Sequence, residues 1–257
     1  MSDKPGAVAA LVERTRGADG IVVGGGDGTI FEVLQACRHP SPPLAVLPLG
    51  RGNSLARDLG VATIARAFGA IDGGVDRPID LLDVTLRTSR NTEWRGVSAS
   101  NVAIGYPAEV ASTARRFKRL GAHSYTAAGL IARPERFRAV VRVDDGEETT
   151  IDLTGVIVSN SRYVGPFLGF PRADLGDGVF HTMTLQSARL SQLLHNVSSV
   201  TRLRFFEPGV LRDIRTTIHL RLDAPMLVKI DGELRDDIRE IDVRLLPRAA
   251  IFRVAAT

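Results

Sequence analysis

The chain has 257 residues, of which 44% are apolar and 24% charged, and its formal net charge is +4. A chain of this length and composition can bury one large core or two modest ones, which excludes a disordered or fibrous protein. Its single cysteine, Cys37, excludes an internal disulfide. Since no apolar run has the length of a membrane span or the form of a signal peptide, we expect a cytoplasmic protein.

In chain order, residues 1–75 alternate between strand-like and helix-like patterns, as in an α/β unit. Two adjacent glycines, Gly73 and Gly74, end this part. The pattern predicts a helix at 8–12, a strand from 21, a helix after 29, a strand from 44, a short helix after 53 and a helix at 62–71.

From residue 76 the apolar residues recur with a period of two, which is typical of half-buried strands. Helical spacing interrupts this pattern at 107–130 and 190–200. Many short strands separated by turn residues predict a β-sandwich or a partly closed barrel. We therefore predict an α/β domain at 1–75 and a larger β-rich domain at 76–257. The predicted strands lie at 79–86, 97–104, 138–143, 151–159, 180–185, 214–222, 227–230, 241–246 and 251–254.

The first candidate site is a glycine-rich turn between the strand at residue 21 and the next helix. Glycines let the main chain approach a phosphate closely, and a helix N-terminus offers free N–H donors to an anion. A carboxylate beside phosphates is expected to bind a metal ion or take a proton from an acceptor hydroxyl. A turn without a ligand is the alternative, in which Thr29 only caps the helix. The turn comprises Gly24, Gly25, Gly26, Asp27, Gly28 and Thr29.

A second turn of the same kind follows the strand at residue 44. Two successive turns of this type bring two anion-binding edges together at the carboxyl ends of neighbouring strands. The alternative is a helix capped by Asn53 or Ser54, which does not explain a glycine on each side of Arg51. The turn comprises Gly50, Arg51, Gly52, Asn53 and Ser54.

Two further groups of acids occur late in the chain. Asp231 and Glu233 flank Gly232 after a predicted strand, and alone they indicate an ordinary β-turn. Asp174 and Asp177 lie three residues apart in a glycine-rich loop, where carboxylates can hold a hard cation such as Mg²⁺. A solvated turn is the alternative for this loop.

Three of these motifs, in this order, resemble the diacylglycerol kinase-like lipid kinases, which include bacterial lipid kinases and sphingosine kinases. The family has Gly-Gly-Asp-Gly-Thr, as at 25–29, then Pro-Leu-Gly-Thr-Gly-Asn-Asp-x-Ala-Arg, compared with Pro-Leu-Gly-Arg-Gly-Asn-Ser-Leu-Ala-Arg at 48–57. It also has Asp-Gly-Glu, as at 231–233. The resemblance implies an α/β nucleotide-binding domain, a β-sandwich-like domain and an active cleft between them.

The resemblance also implies the activity, which is transfer of the γ-phosphoryl group of ATP to a hydroxyl of a diacylglycerol-like or other long-chain lipid. Asp27, Asp231 and Glu233 then meet across the cleft to bind Mg²⁺ or activate the acceptor, and Arg51 neutralises developing charge. Asp174 and Asp177 are the implied ligands of a structural magnesium ion. The implied nucleotide-binding residues are Gly25, Gly26, Gly28, Thr29, Gly50, Arg51, Gly52 and Asn53.

Other features concern partners and departures from the family. The mild basic excess suits an anionic membrane surface, while the few aromatics and the lack of zinc spacing predict no nucleic-acid partner. The basic run at 115–119 indicates a solvated helix face or a contact with anionic lipid headgroups. Arg51 replaces a small hydroxyl residue, and the family's opening strand with its Asn-Pro-x-x-Gly turn is not matched. These departures motivate one alternative, a catalytically inactive nucleotide- or lipid-binding protein. The other alternative is a NAD kinase-like enzyme, since that related family shares the Gly-Gly-Asp-Gly-Thr turn.

Overall fold

The computed structural model describes residues 7–15, 17–37, 42–50, 52–117, 123–165, 167–186 and 210–256. Its helices are α1 (Ala7–Glu13), α2 (Asp27–Ala36), α3 (Ser54–Asp58), α4 (Ile64–Gly73), α5 (Tyr106–Arg116) and α6 (His123–Ile131). Its strands are β1 (Ile21–Gly25), β2 (Leu44–Pro48), β3 (Val75–Thr88), β4 (Glu93–Ser98), β5 (Asn101–Gly105), β6 (Phe137–Val143), β7 (Thr149–Leu153), β8 (Gly155–Ser159), β9 (Tyr163–Val164), β10 (Phe167–Leu168), β11 (Phe180–Leu185), β12 (Val210–Arg215), β13 (Thr217–Ile230) and β14 (Glu233–Val254).

Twelve of these strands form one mixed sheet, whose main path runs β1-β2-β14-β13-β5-β8-β11-β12. Strands β1 and β2 are parallel, as expected for strands joined through a helix, and most other pairs are antiparallel. Strands β3 and β4 extend from β14, and β6 and β7 extend from β13. The predicted combination of an α/β part and a β-rich part is confirmed.

We call β1, β2 and α1 to α4 the first lobe, and the remaining elements the second lobe. The first lobe has its own core, formed by apolar residues of β1, β2 and three of its helices. The end of β14 also belongs to this core, because Phe252 is fully buried there and pairs with Leu44 of β2. The chain therefore returns to the first lobe near its end, and the boundary at residue 75 stays a prediction.

The second lobe is built around a core of alternating strand residues. In β3, for example, Leu82, Val84 and Leu86 are fully buried, whereas Asp83 and Thr85 between them are only half-buried. Helix α2 lies where the two cores meet, since Ile30 packs in the first core while Phe31 packs in the second. This packing fixes the N-terminus of α2 at the junction of the two lobes.

Several predicted segments are divided in the structure. The predicted strand at 97–104 is two strands, because the backbone turns between Ser98 and Asn101. The segments at 151–159 and 214–222 are likewise divided, at Thr154 and Thr216. The helical segment at 107–130 consists of α5 and α6, and the predicted helix at 190–200 lies outside the described residues.

Other predicted segments are joined. The later part of the strand predicted at 214–222 and the strand predicted at 227–230 both belong to β13, which continues through an irregularity between Arg221 and Met226. Those predicted at 241–246 and 251–254 are parts of β14, which is irregular between Leu246 and Ala250. The strand ends predicted inside β13 and β14 from a break in hydrophobic periodicity are wrong, because a bulge disturbs the alternation without ending the pairing. Within the described part of the chain, no helix combines the length and apolar character needed to cross a membrane.

Candidate active site

The two glycine-rich turns lie side by side because β1 and β2 are adjacent parallel strands, with Gly25 opposite Pro48. The turns touch through Gly26 and Gly50, since a Cβ atom on Gly26 would lie only 3.1 Å from the Gly50 Cα. A Cβ on Gly25 would overlap the Thr29 side chain, which folds back against it. These glycines therefore allow close packing within and between the two turns. The sequence pattern predicted only that they let the main chain approach a phosphate.

Asp27 joins the two turns. It is the first residue of α2, and its Oδ2 and Oδ1 accept hydrogen bonds from the backbone N–H groups of Ser54 and Leu55, each at 3.1 Å. The carboxylate thus caps α3 from outside the helix. Gly52 is close as well, since a Cβ there would lie 3.1 Å from Asp27 Oδ2.

Asn53 maintains the shape of the second turn. Its backbone is left-handed, with φ at 48°, and its Nδ2 donates to the carbonyl oxygens of Pro48 and Gly50 at 3.1 and 2.8 Å. This geometry fits an asparagine, which tolerates left-handed backbone better than most residues. Arg51 lies outside the described residues.

The third motif reaches the same place from the second lobe. Asp231 and Gly232 form a two-residue turn between β13 and β14, with Asp231 at φ 47° and Ile230 paired with Glu233. This turn rests against the start of α2, because a Cβ on Gly232 would lie 3.3 Å from the N and Cα atoms of Gly28. The structure therefore brings the three sequence motifs together.

The Asp231 carboxylate accepts four hydrogen bonds from protein donors, three of them at Oδ1. It accepts hydrogen bonds from the Ser98 hydroxyl at 2.7 Å and from the N–H groups of Ala99, Ser100 and Asn101 at 2.9 to 3.0 Å. Burial raises the pKa of Asp231, and the hydrogen bond from Ser98 opposes this shift. Asp231 thus holds the turn between β4 and β5.

Glu233 differs from Asp231. Its side chain is half-buried, and its carboxylate forms no hydrogen bond or ion pair with any described residue. It faces the start of α2, since a Cβ on Gly28 would lie 4.0 Å from Glu233 Oε1. Of the two acids in this motif, Glu233 is the one whose oxygens remain available.

A cleft of about 770 Å³ opens between the lobes at this point. Three cationic side chains line it, Arg57, Arg115 and Lys229. The sequence predicted a solvated helix face or a contact with lipid headgroups for Arg115, as part of the basic run at 115–119, but a place in this cleft for none of the three. Arg57 and Ser54 both donate to the Gly165 carbonyl oxygen, at 2.8 and 3.1 Å, which connects α3 to the second lobe. The other lining residues are Asp27, Gly28, Gly52, Ser100, Asn101, Ala111, Ala114, Ser124, Tyr125, Asp231, Gly232 and Leu234.

Asp174 and Asp177 lie outside this cleft. Asp174 pairs with Arg77 at 2.7 Å and with Arg162 at 3.5 Å, so two cations already neutralise it. Asp177 accepts hydrogen bonds from the backbone N–H groups of Asp174 and Val179 at 3.2 Å. Their role as magnesium ligands stays a prediction, and these contacts account for both acids without a metal ion.

Two family models match the chain in succession. The model of the diacylglycerol kinase catalytic domain matches residues 2–84, and that of the YegS C-terminal NAD kinase beta sandwich-like domain matches residues 100–252. A diacylglycerol kinase of Mycobacterium tuberculosis is 33% identical over 227 residues, which are 85% of this chain and 71% of that protein. A diacylglycerol kinase of Bacillus subtilis is 27% identical over 232 residues, covering 88% of this chain and 74% of the relative.

Solved structures agree on the fold. A diacylglycerol kinase from Bacillus anthracis superposes with a TM-score of 0.73 at 19% identity, covering 98% of this chain and 83% of that one. Yeast NADH kinase is more distant, with a TM-score of 0.53 at 13% identity over 93% of this chain and 62% of the kinase. From the matched motifs, the two matched family models and the relatives, we conclude that this chain belongs to the diacylglycerol kinase family of lipid kinases.

Proposed function

We propose that this protein is an ATP-dependent lipid kinase, which transfers the γ-phosphoryl group to a hydroxyl of a diacylglycerol-like or other long-chain lipid. The observation that carries the proposal is that Asp27 and the turn before Glu233 lie together at the N-terminus of α2, beside a cleft lined by three cations. Phosphoryl transfer requires chiefly positioning and stabilisation of charge, and such a cleft supplies both.

Glu233 is the proposed general base. Its free carboxylate takes the proton of the acceptor hydroxyl as the new O–P bond forms and the bond to the departing ADP breaks. Asp231 is unsuited to this role because four protein donors already occupy its carboxylate. Its proposed contribution is to fix the turn that carries Glu233.

The residues at the cleft fit a nucleotide with its metal ion. Main-chain N–H groups at the start of α2 offer donors to phosphate oxygens, and Gly28 and Gly52 leave room for a close approach. Carboxylate oxygens of Asp27 and Glu233 are of the kind that Mg²⁺ prefers. When bound, the metal ion would neutralise charge on the phosphates.

A lipid acceptor implies that the enzyme acts at a membrane surface. Helix α5 ends in Arg115 and Arg116, and Arg115 also lines the cleft. Each basic side chain near an anionic membrane contributes about 1 kcal/mol to binding. We therefore propose transient contact with the cytoplasmic face of a membrane through this end of α5.

The direct test is incubation with radiolabelled ATP, Mg²⁺ and a lipid extract, followed by separation of the labelled lipid. We expect a labelled lipid with the wild type and at least about a hundredfold less with Glu233→Gln, since base catalysis commonly contributes that much. Asp236→Asn, at an exposed position nearby, is the matched control and should keep the wild-type rate.

Three results would contradict the proposal. If Asp27→Asn formed as much labelled lipid as the wild type, Asp27 would have no role in the reaction. Formation of NADP from NAD in place of labelled lipid would favour a NAD kinase-like activity. Calorimetric binding of ATP without turnover on any lipid would favour an inactive binding protein.

A further inference from the structure

Lys229 lies on the floor of the cleft because of its position in β13. Val228 and Ile230 on either side of it are fully buried in the core of the second lobe, so Lys229 and Asp231 point to the opposite face. Lys229 lines the same cleft as Asp27. It is one of only three lysines among the 33 basic residues of the chain, the others being arginines.

One hydrogen bond orients the Lys229 ammonium. Its Nζ donates to Asn101 Oδ1 at 2.9 Å, and the Asn101 backbone N–H donates in turn to Asp231 at 2.9 Å. No carboxylate of a described residue comes within 4.0 Å of Nζ. An ammonium group has three donors, so two remain for a molecule that enters the cleft.

The two arginines of the cleft are engaged differently. The Arg57 guanidinium donates to the Gly165 carbonyl oxygen and stacks over the Tyr163 ring, 4.3 Å from its centroid. Arg115 donates to the Gly232 carbonyl oxygen. These contacts anchor both guanidinium groups to the walls of the cleft, where each keeps further N–H donors, whereas Lys229 presents a compact charge to its interior.

Burial makes a charge on Lys229 unfavourable unless an anion lies beside it. Desolvation lowers the pKa of Lys229, and the negative charges of Asp231 and Asp27 only oppose this shift. A phosphate oxygen would add a negative charge directly beside the Lys229 ammonium, and hydrogen bonds between charged groups are the strong ones.

We infer that Lys229 binds the terminal phosphoryl group of a nucleoside triphosphate and so makes the cleft prefer a triphosphate to a diphosphate. The inference rests on the proposed function. The start of α2 in the first lobe is the proposed site of the nucleotide phosphates, and Lys229 lies in the second lobe, which supplies the proposed base Glu233. The terminal phosphoryl group, which is transferred from the nucleotide in the first lobe towards the acceptor at Glu233, is therefore the one that we expect Lys229 to contact.

Calorimetric titration with Mg-ATP and Mg-ADP tests this assignment. We expect Lys229→Met to weaken ATP binding about tenfold or more and to change ADP binding less than about twofold, since one charge-assisted hydrogen bond is lost. Arg138→Met is the matched control, because it removes the same charge at an exposed position of β6 outside the cleft. It should leave both affinities unchanged.

The outcomes distinguish a failure of the role of Lys229 from a failure of the proposed lipid kinase function. Equal weakening of ATP and ADP binding, or no weakening of either, would overturn the role of Lys229 while wild-type lipid phosphorylation stands. A wild type that binds neither nucleotide would overturn the proposed function and this inference with it. If methionine lowers the melting temperature, Lys229→Gln keeps a polar end and removes only the charge. The same difference between ATP and ADP binding is then expected of the glutamine variant, and its absence would overturn the inference.

Discussion

The carboxylates of Asp27, Asp231 and Glu233 near the start of α2 have different surroundings, and these surroundings favour a different role for each. Asp27 caps a helix of the first lobe, Asp231 accepts hydrogen bonds from four donors of one turn, and Glu233 forms no hydrogen bond or ion pair with a described residue. A carboxylate saturated by donors stabilises the fold, whereas one without protein donors is free to act on a ligand. Adjacent acids of one short motif therefore serve structure and chemistry separately.

At the scale of single residues, we predict unequal effects on stability for substitutions of the two acids of the third motif. Asp231→Ala leaves the Ser98 hydroxyl and three N–H groups without their acceptor, so the free energy of unfolding should fall by about 3 kcal/mol or more. Glu233→Gln removes no described contact and should change it by less than about 0.5 kcal/mol. Urea denaturation measures both values. Equal losses would show that Glu233 is also structural.

At the scale of elements, the site depends on how closely two strand–turn–helix units approach each other. Strands β1 and β2 are in register, their turns touch through Gly26 and Gly50, and Asp27 of one unit caps the helix of the other. Side chains between the turns would push apart the start of α2 and the start of α3. The geometry of the cleft wall is thus a product of main-chain packing.

A pair of glycine substitutions tests this packing. Gly50→Ala would drive a methyl group into the Gly26 backbone, which cannot rotate away, so we expect a loss of about 1–3 kcal/mol in stability and weaker nucleotide binding. Gly69→Ala lies inside α4 with nothing within 4 Å of the new methyl group, and it should stabilise the protein by up to about 1 kcal/mol. Thermal unfolding followed by circular dichroism gives the sign of each change. A stable Gly50→Ala protein would refute the close contact.

At the scale of the whole molecule, one sheet runs through both lobes. Strand β14 extends from the Glu233 turn to Val254, pairing with β13 and β3 in the second lobe and with β2 in the first. Helix α2 adds a second connection, since it contributes side chains to both cores. The cleft is therefore held between two lobes that share backbone hydrogen bonds.

This continuity predicts that the two lobes unfold together. Fluorescence of Trp94, the single tryptophan, reports on the second lobe, while far-ultraviolet circular dichroism reports on both. We expect the two transitions to coincide in urea. Phe252→Ala opens a cavity in the first core and should reduce the free energy of unfolding by about 3–5 kcal/mol. Both urea midpoints should therefore fall together. A Trp94 transition that stays at the wild-type midpoint would show independent lobes.

The motifs at 24–29, 50–54 and 231–233 could be found from the sequence because each is a local pattern of turn residues after an apolar strand. The pattern also predicted the type of most elements, including β11 with its observed bounds. It failed at Ser98–Asn101, where the turn is fixed by the carboxylate of Asp231, more than a hundred residues away. It also separated β13 and β14 into pieces, because a bulge and a strand end look alike in periodicity.

The sequence by itself determined the family, the order of an α/β part and a β-rich part, and the three turns that carry the candidate site. Those properties follow from short-range chemistry, namely side-chain period, backbone freedom at glycine and helix starts. Tertiary structure decided which acid is occupied, which is free, and that Lys229 faces the cleft with two donors unused. These depend on distances between residues far apart in the chain, and hydrogen bonding and desolvation change sharply over such distances.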